Sequence, residues 1–351
     1  MEDRGGRGDG GVRGDGGVRG GRDECRREGA GGAGSVDVVV VGGGAAGLNA
    51  ALVLARARRR VLVVDGGRPR NAPARQVHGF VSRDGMPPAE LVAVGRREVE
   101  HYGGRVVADE VRVVRRADHV PLGPDAAAGG FEAELTGSVV RARRVIAATG
   151  LRDALPDLPG LRERWARDVL HCPYCHGWEV RDQRLGVLGW RPEAVHQALL
   201  VRRLSDDVVF FAQDGRDLDA PGRAKLAASG VRIVHGEVSG LVVEDDRLRG
   251  VRMADGTVVG RSALFVPPEF VPNDALLTGL GCRRDDNGLV RVDANGRTSV
   301  PGVWAVGNVV DPRAFVVAAA AAGAKAAVAV NADLVEADLA EDGLHVVEGA
   351  R

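Results

Sequence analysis

The sequence predicts an α/β protein of two three-layer domains, the second inserted within the first. Three observations predict it. An apolar run, a glycine-bearing turn, a helix-forming stretch and a second apolar run occur in that order from Val36 to Val64. The same pattern returns from Leu185 to Phe211. Strands apolar at consecutive positions have both faces covered, as in parallel sheets flanked by helices. The third observation is the closing strand and helix after Gly302, which complete the site opened near residue 42. Both domains are therefore Rossmann-like, and the second interrupts the first.

A chain of 351 residues suits two domains, and 44% hydrophobic content supplies their cores. The 48 basic and 48 acidic residues cancel, so no overall field recruits nucleic acid or an anionic membrane. No apolar run approaches the roughly 20 residues of a spanning helix. The start lacks the apolar stretch of a secretory signal, and the expectation is a soluble, cytoplasmic protein. The four cysteines, Cys25, Cys172, Cys175 and Cys282, are too few for a disulfide scaffold.

Along the chain, residues 1–34 are Gly- and Arg-rich and are expected to be a disordered tail, Cys25 included. Val36–Val41 reads as a buried parallel strand, Ala45–Arg59 as a helix and Val61–Val64 as the next strand. Residues 131–149 read as a hairpin ending in Val145–Ala148. Leu185–Gly189, Glu193–Leu204 and Val208–Phe211 repeat strand, helix and strand, and a further strand lies near Leu264. The last strand is near Val303, and an Ala/Val-rich helix begins at about Ala314. The expected division is 35–156 with 268–345 for the first domain and 157–267 for the insertion.

Gly42-Gly43-Gly44-Ala45-Ala46-Gly47 is a GxGxxG segment between strand and helix. Gly42 permits the tight turn, Gly44 lets a pyrophosphate approach the backbone, and Gly47 lets helix and strand pack closely. The helix N-terminus favours that anion. Asp65 ends the next strand, where a carboxylate can accept ribose hydroxyls. The corresponding loop of the insertion, Gly189-Trp190-Arg191-Pro192-Glu193, keeps one glycine of three. Trp190 and Arg191 add bulk, Pro192 removes a donor N–H, and Glu193 opposes a bound anion. Arg216 stands alone where a 2′-phosphate needs a cluster of arginines. Tight NADPH binding is not expected there.

His171-Cys172-Pro173-Tyr174-Cys175-His176-Gly177 is the other chemical motif. Two cysteines at this spacing can close a small disulfide or present two thiols to one partner, and positive neighbours activate such thiols. A zinc site is the competing reading, but it lacks an obvious fourth ligand, and no metal is expected. Cys282, Trp178 and Trp190 are read as packing residues.

These motifs, with Arg70-Asn71, Gly79-Phe80, Ala148-Thr149-Gly150 and Gly302-Val303-Trp304-Ala305-Val306-Gly307-Asn308, resemble low-molecular-weight thioredoxin reductases. The CPYCHG version is similar to the branch that oxidises dithiols in natural products, of gliotoxin and holomycin oxidase type. The resemblance implies FAD on the GxGxxG segment and Asp65. It adds Arg70, Asn71, His78, Val107, Thr149, Gly150, Asn308, Phe315 and Val316 as cofactor-binding candidates. Asn308 departs from the acid usual there, and Phe315 from a polar residue. Cys175 would pass electrons to the flavin, Cys172 would meet substrate, and His176, its pKa near neutral, would be the base. His171 is a second candidate base. A homodimer is implied as well. The function expected is oxidation of a small dithiol to an intramolecular disulfide, with O2 as acceptor. The alternatives are an NADPH-dependent disulfide reductase and a redox-inactive flavin-binding module.

Overall fold

The computed structural model describes residues 35–117, 129–213 and 218–341, so the tail with Cys25, and Arg216, lie outside the described residues. Ser35–Val41 (β1) and Val61–Asp65 (β2) pair in parallel, joined by helix Ala45–Arg56 (α1). Helix Pro88–His101 (α2) leads to Arg105–Ala108 (β3) on the far side of β2. Val113–Ala117 (β4), Gly130–Glu134 (β5) and Val139–Ala147 (β6) follow, with β4–β5 and β5–β6 antiparallel and β6 parallel to β1. Leu151–Ala154 (β7) then leaves this sheet.

Leu161–Arg164 (α3), Val169–Leu170 (β8) and the single turn Pro173–His176 (α4) precede the second βαβ unit. That unit is Leu185–Gly189 (β9), Glu193–Val201 (α5) and Val208–Ala212 (β10). Ala220–Ala228 (α6) and Arg232–His235 (β11) extend it. A meander follows, Val238–Glu244 (β12), Arg247–Met253 (β13) and Val258–Gly260 (β14), and Ala263–Phe265 (β15) returns to the sheet. The order β11-β10-β9-β15-β8 is parallel throughout. Glu269–Pro272 (β16) pairs antiparallel with β7, so the outgoing and returning connections form a two-stranded ribbon between the sheets. Ala275–Gly279 (α7), Val303–Ala305 (β17) and Val316–Glu341 (α8) close the chain.

The first sheet reads β3-β2-β1-β6-β5-β4, and β17 also pairs with β6. The first half of β6 pairs with β5 and its second half with β17 along the same edge, because β1 occupies the other. From Val38 on, alternate residues of β1 feed opposite faces: Val39 and Val41 join one core cluster, Val38 and Val40 the other, under α1 and α8. The second sheet is covered by α5 and α6 on one face and by the meander on the other. Its third layer is thus a small sheet. The expected helices are shorter, ending at Arg56 and Val201, because the residues that follow turn back toward the next strand.

Helix α8 corrects one expectation. Among the described residues, Val316–Ala340 is long and apolar enough to cross a membrane by length and composition. Small residues hid the run: it is mostly alanine and valine. In the structure Ala326, Ala327, Val330 and Leu334 are fully buried in the cluster shared with α1.

Candidate active site

A cavity of about 1500 Å3 runs from the β1–α1 turn to the cysteine pair. At its deep end Gly42 has φ +108°, and a Cβ there would lie 2.3 Å from the Ala148 carbonyl oxygen. A Cβ on Gly47 would meet the Gly42 oxygen at 1.9 Å, and one on Gly43 would meet the Asp65 carboxyl carbon at 2.6 Å. A Cβ on Gly44, by contrast, would point into open space, and no side chain caps α1. Gly42, Gly43 and Gly47 permit close packing, and Gly44 leaves the helix start open to the cavity, which Ala45 and Ala46 also line.

Asp65 lines the cavity, but its carboxylate is shared. One oxygen accepts the Gly67 N–H at 3.1 Å, and the other pairs with Arg96 of α2. Arg70 and Asn71 line the cavity wall. Arg70 makes a two-pronged pair with Asp153 at 3.0 and 2.7 Å and donates to the Pro312 carbonyl at 3.1 Å and Asn308 Oδ1 at 3.4 Å. Asn308 donates to the carbonyls of Asp311 and Ala314, pinning the turn before α8. Thr149 Oγ1 donates to the Asn273 carbonyl at 2.7 Å, and Asn273 returns a bond to the Thr149 carbonyl at 2.9 Å, holding Thr149-Gly150 at the rim. Phe315 and Val316 line the mouth of the same cavity. Val107 does not: it packs on the core under β3, because its strand neighbours turn it into the sheet. Asp153 and Asn273 carry no motif, and sequence reasoning passed over both.

Cys172 and Cys175 form a disulfide across α4, Cα to Cα 5.2 Å. Pro173 occupies the first helical position, where its missing N–H costs nothing. The Cys175 N–H donates to Cys172 Sγ at 3.1 Å, a bond that favours a thiolate at Cys172 once the pair is reduced. Gly177 is required: a Cβ would lie 2.2 Å from the Pro173 oxygen and 2.4 Å from Leu204. Gln197 of α5 donates to the His171 carbonyl at 2.6 Å and so fixes the loop entering the pair. Tyr174 is 69% exposed and stands edge-on to Phe315, ring centres 6.3 Å apart. Trp178, expected in a core, is also 69% exposed and stacks on Arg181, since the short turn after Gly177 lifts it out of the fold.

The histidines differ. Burial, reinforced by the Arg70 charge, pushes His171 down to about 4, and its Nδ1 is buried without a hydrogen bond. His171 is thus neutral but weakly basic, and its ring sits edge-on to Phe270. Burial also lowers His176, with Glu179 pulling it partly back and His78 adding to the lowering. The near-neutral pKa expected for His176 is therefore corrected downward. His78 lines the cavity opposite α4. Among the described residues no group of three or more Cys, His, Asp or Glu is arranged to hold a metal.

In the β9–α5 loop, Trp190 Nε1 donates to the Pro267 carbonyl at 2.8 Å. Arg191 lies 3.4 Å from Glu193 and 3.9 Å from Glu269. The loop after β9 thus holds an indole tied to Pro267 and an ion pair of its own.

The signature of the pyridine nucleotide-disulphide oxidoreductase family matches residues 36–325. The chain belongs to this family. It is 32% identical over 286 residues to thioredoxin reductase tcpT of Claviceps purpurea, covering 78% of this chain and 86% of that one. A probable thioredoxin reductase of Arthroderma benhamiae is 30% identical over 307 residues, 78% of this chain and 73% of that one. Among solved structures, HlmI superposes with TM-score 0.83 at 55% identity over 88% of this chain and 95% of that one. Thioredoxin reductase TrxB of Bacillus anthracis follows with TM-score 0.79 at 30% identity over 86% and 99%.

Thioredoxin reductase-like members of the family bind FAD, and the two Rossmann-like units are their fold. This chain fits that cofactor on its own geometry. The open face at Gly44, the uncapped start of α1 and the buried Nδ1 of His171, which makes no hydrogen bond, belong to residues that line one cavity of about 1500 Å3. A thiol:disulfide oxidoreductase of this family needs a cysteine pair at the cavity, which Cys172 and Cys175 supply.

Proposed function

We propose that this chain oxidises a small dithiol to its intramolecular disulfide, with oxygen as the final electron acceptor. The observation that carries this is the make-up of the β9–α5 loop. Trp190 is tied to Pro267, and Arg191 is engaged by two glutamates, where a reductase would receive its nicotinamide nucleotide. Electrons that do not arrive there can come from a dithiol. The exposed Tyr174 against Phe315 forms an aromatic rim beside Cys172, suited to a compact, largely apolar substrate such as a natural-product dithiol.

A substrate thiolate attacks Cys172 Sγ, breaking the Cys172–Cys175 bond and forming a mixed disulfide. The second substrate thiolate attacks the first, expelling Cys172 and closing the product ring. The Cys175 N–H stabilises the departing Cys172 thiolate, and His176 takes a thiol proton, its lowered pKa keeping the ring neutral and ready. Gly42 to Gly47, Asp65, Arg70, Asn71, Thr149, Gly150 and Asn308 would hold FAD, which would supply a two-electron acceptor for the reduced pair on the way to oxygen. In this reading residues 35–156 with 268–345 hold the cofactor, and 157–267 carry the thiol chemistry in a cytoplasmic homodimer.

The test is oxygen uptake by the purified, FAD-loaded chain on mixing with reduced dithiol and no nicotinamide. Uptake is expected in proportion to disulfide formed; its absence ends the oxidase reading. A second reading, an NADPH-dependent disulfide reductase, is favoured by the names of the Claviceps and Arthroderma relatives. It requires NADPH to bleach the flavin under anaerobic conditions.

A further inference from the structure

Each dithiol oxidised releases two thiol protons, and one imidazole holds only one of them. His176 ends α4 directly after Cys175, so a second acceptor has to lie within reach. His78 faces it from a closed loop. Val77 and Met86 bridge the base of that loop, and the Gly85 N–H donates to the Val77 carbonyl at 2.8 Å. Gly79, at φ +74°, turns its N–H onto one Asp84 oxygen at 2.9 Å, and the other Asp84 oxygen lies 3.3 Å from His78 Nδ1. The ring is therefore oriented, with Nε2 aimed inward. That nitrogen is buried, makes no hydrogen bond, and lies 3.5 Å from Glu179 Oε1. Glu179 follows His176 by one short turn, and both Glu179 and His78 act electrostatically on the His176 ring. Asp84 on its own loop, and Glu179 and His176 across the groove, are the titratable groups that face His78. Each nitrogen of the His78 ring thus has a carboxylate oxygen beside it, from Asp84 at Nδ1 and from Glu179 at Nε2.

We propose that His78 is the second proton acceptor of dithiol oxidation, receiving through Glu179 the proton that His176 first takes from substrate. This rests on the dithiol-oxidation reading above. The first thiol gives its proton to His176, and its thiolate opens the Cys172–Cys175 bond, leaving the electron pair on Cys175. The proton passes by Glu179 to His78, and neutral His176 takes the second thiol proton. The second thiolate closes the product and expels Cys172. Two electrons now reside on the two cysteine sulfurs and two protons on the two imidazoles, so charge balances until both leave together. His78, expected to contact cofactor, is thereby given a role on the thiol side of the cavity.

The experiment uses the full chain loaded with FAD and dithiothreitol as the dithiol, mixed anaerobically. Flavin bleaching is followed together with reduction of the Cys172–Cys175 bond, the latter by quenched alkylation. His78→Asn is expected to slow both by about 10- to 100-fold with FAD content unchanged, and added imidazole to restore most of the rate. Glu179→Gln, on a half-exposed side chain that packing does not need, is expected to slow both similarly. Wild-type rates in either variant, or a loss in His78→Asn that imidazole does not restore, overturn the relay while the oxidase reading stands. Wild-type protein whose pair dithiothreitol does not reduce overturns the oxidase reading and the relay with it.

Discussion

His171 and His176 flank the same disulfide, yet their surroundings suit them to different tasks. His171 titrates at about 4 in the fold and near 6.5 in an unfolded chain. Between those values the unfolded chain binds the extra proton. Its contribution to stability is therefore complete above about pH 6.5 and is lost as pH falls toward 4, by up to about 3 kcal/mol. Urea unfolding at pH 7 and at pH 5 checks this: wild type should lose more stability between the two than His171→Leu. His176 is lowered as well, so its neutral form extends below the ordinary histidine range, and the acid limb of the pair-reduction rate should lie below pH 6.5. Replacing it, His176→Gln, should slow reduction of the pair by a dithiol about 100-fold at pH 7 while leaving FAD bound. At this scale the sequence was readable where a residue type is itself the chemistry. Cys172, Cys175 and the two histidines announce themselves. Glu179, Gln197 and Asn273 do not, since each acts through a residue distant in sequence.

Among the elements, the βαβ units were legible because buried parallel strands are apolar at every position, as in β1, β2, β9 and β10. Helix α2 was not, since only Pro88 and Val99 of its residues are buried. The ribbon β7–β16 was missed too: its strands are four residues each and mix Arg, Asp and Glu with apolar residues. Nor does a sequence reveal how closely two helices cross. A Cβ on Gly323 would lie 2.0 Å from the Ala46 carbonyl oxygen, so α8 crosses α1 backbone to backbone in the first turn of α1. Gly323→Ala should push the helices apart, destabilise the fold by about 2 kcal/mol and weaken FAD retention. Flavin content after gel filtration, alongside a urea titration, measures both.

For the molecule as a whole, Arg70 ties parts that no local pattern joins. Its guanidinium reaches Asp153 on β7, the carbonyl of Pro312 before α8, and the ring of Phe270 on β16 at 4.9 Å. Arg70→Met should cost about 3 kcal/mol, because it leaves the Asp153 carboxylate buried without its partner. The accompanying Asp153→Asn change should recover part of that, a comparison made by chemical unfolding. The divided edge of β6 carries a different consequence. Its second half is covered only by β17, which leaves the ribosome long after β6 itself. A nascent chain therefore carries an open row of amides and carbonyls at Val145–Ala147 throughout synthesis of everything in between, a place where chaperones or stray strands can dock before the final strand slots in.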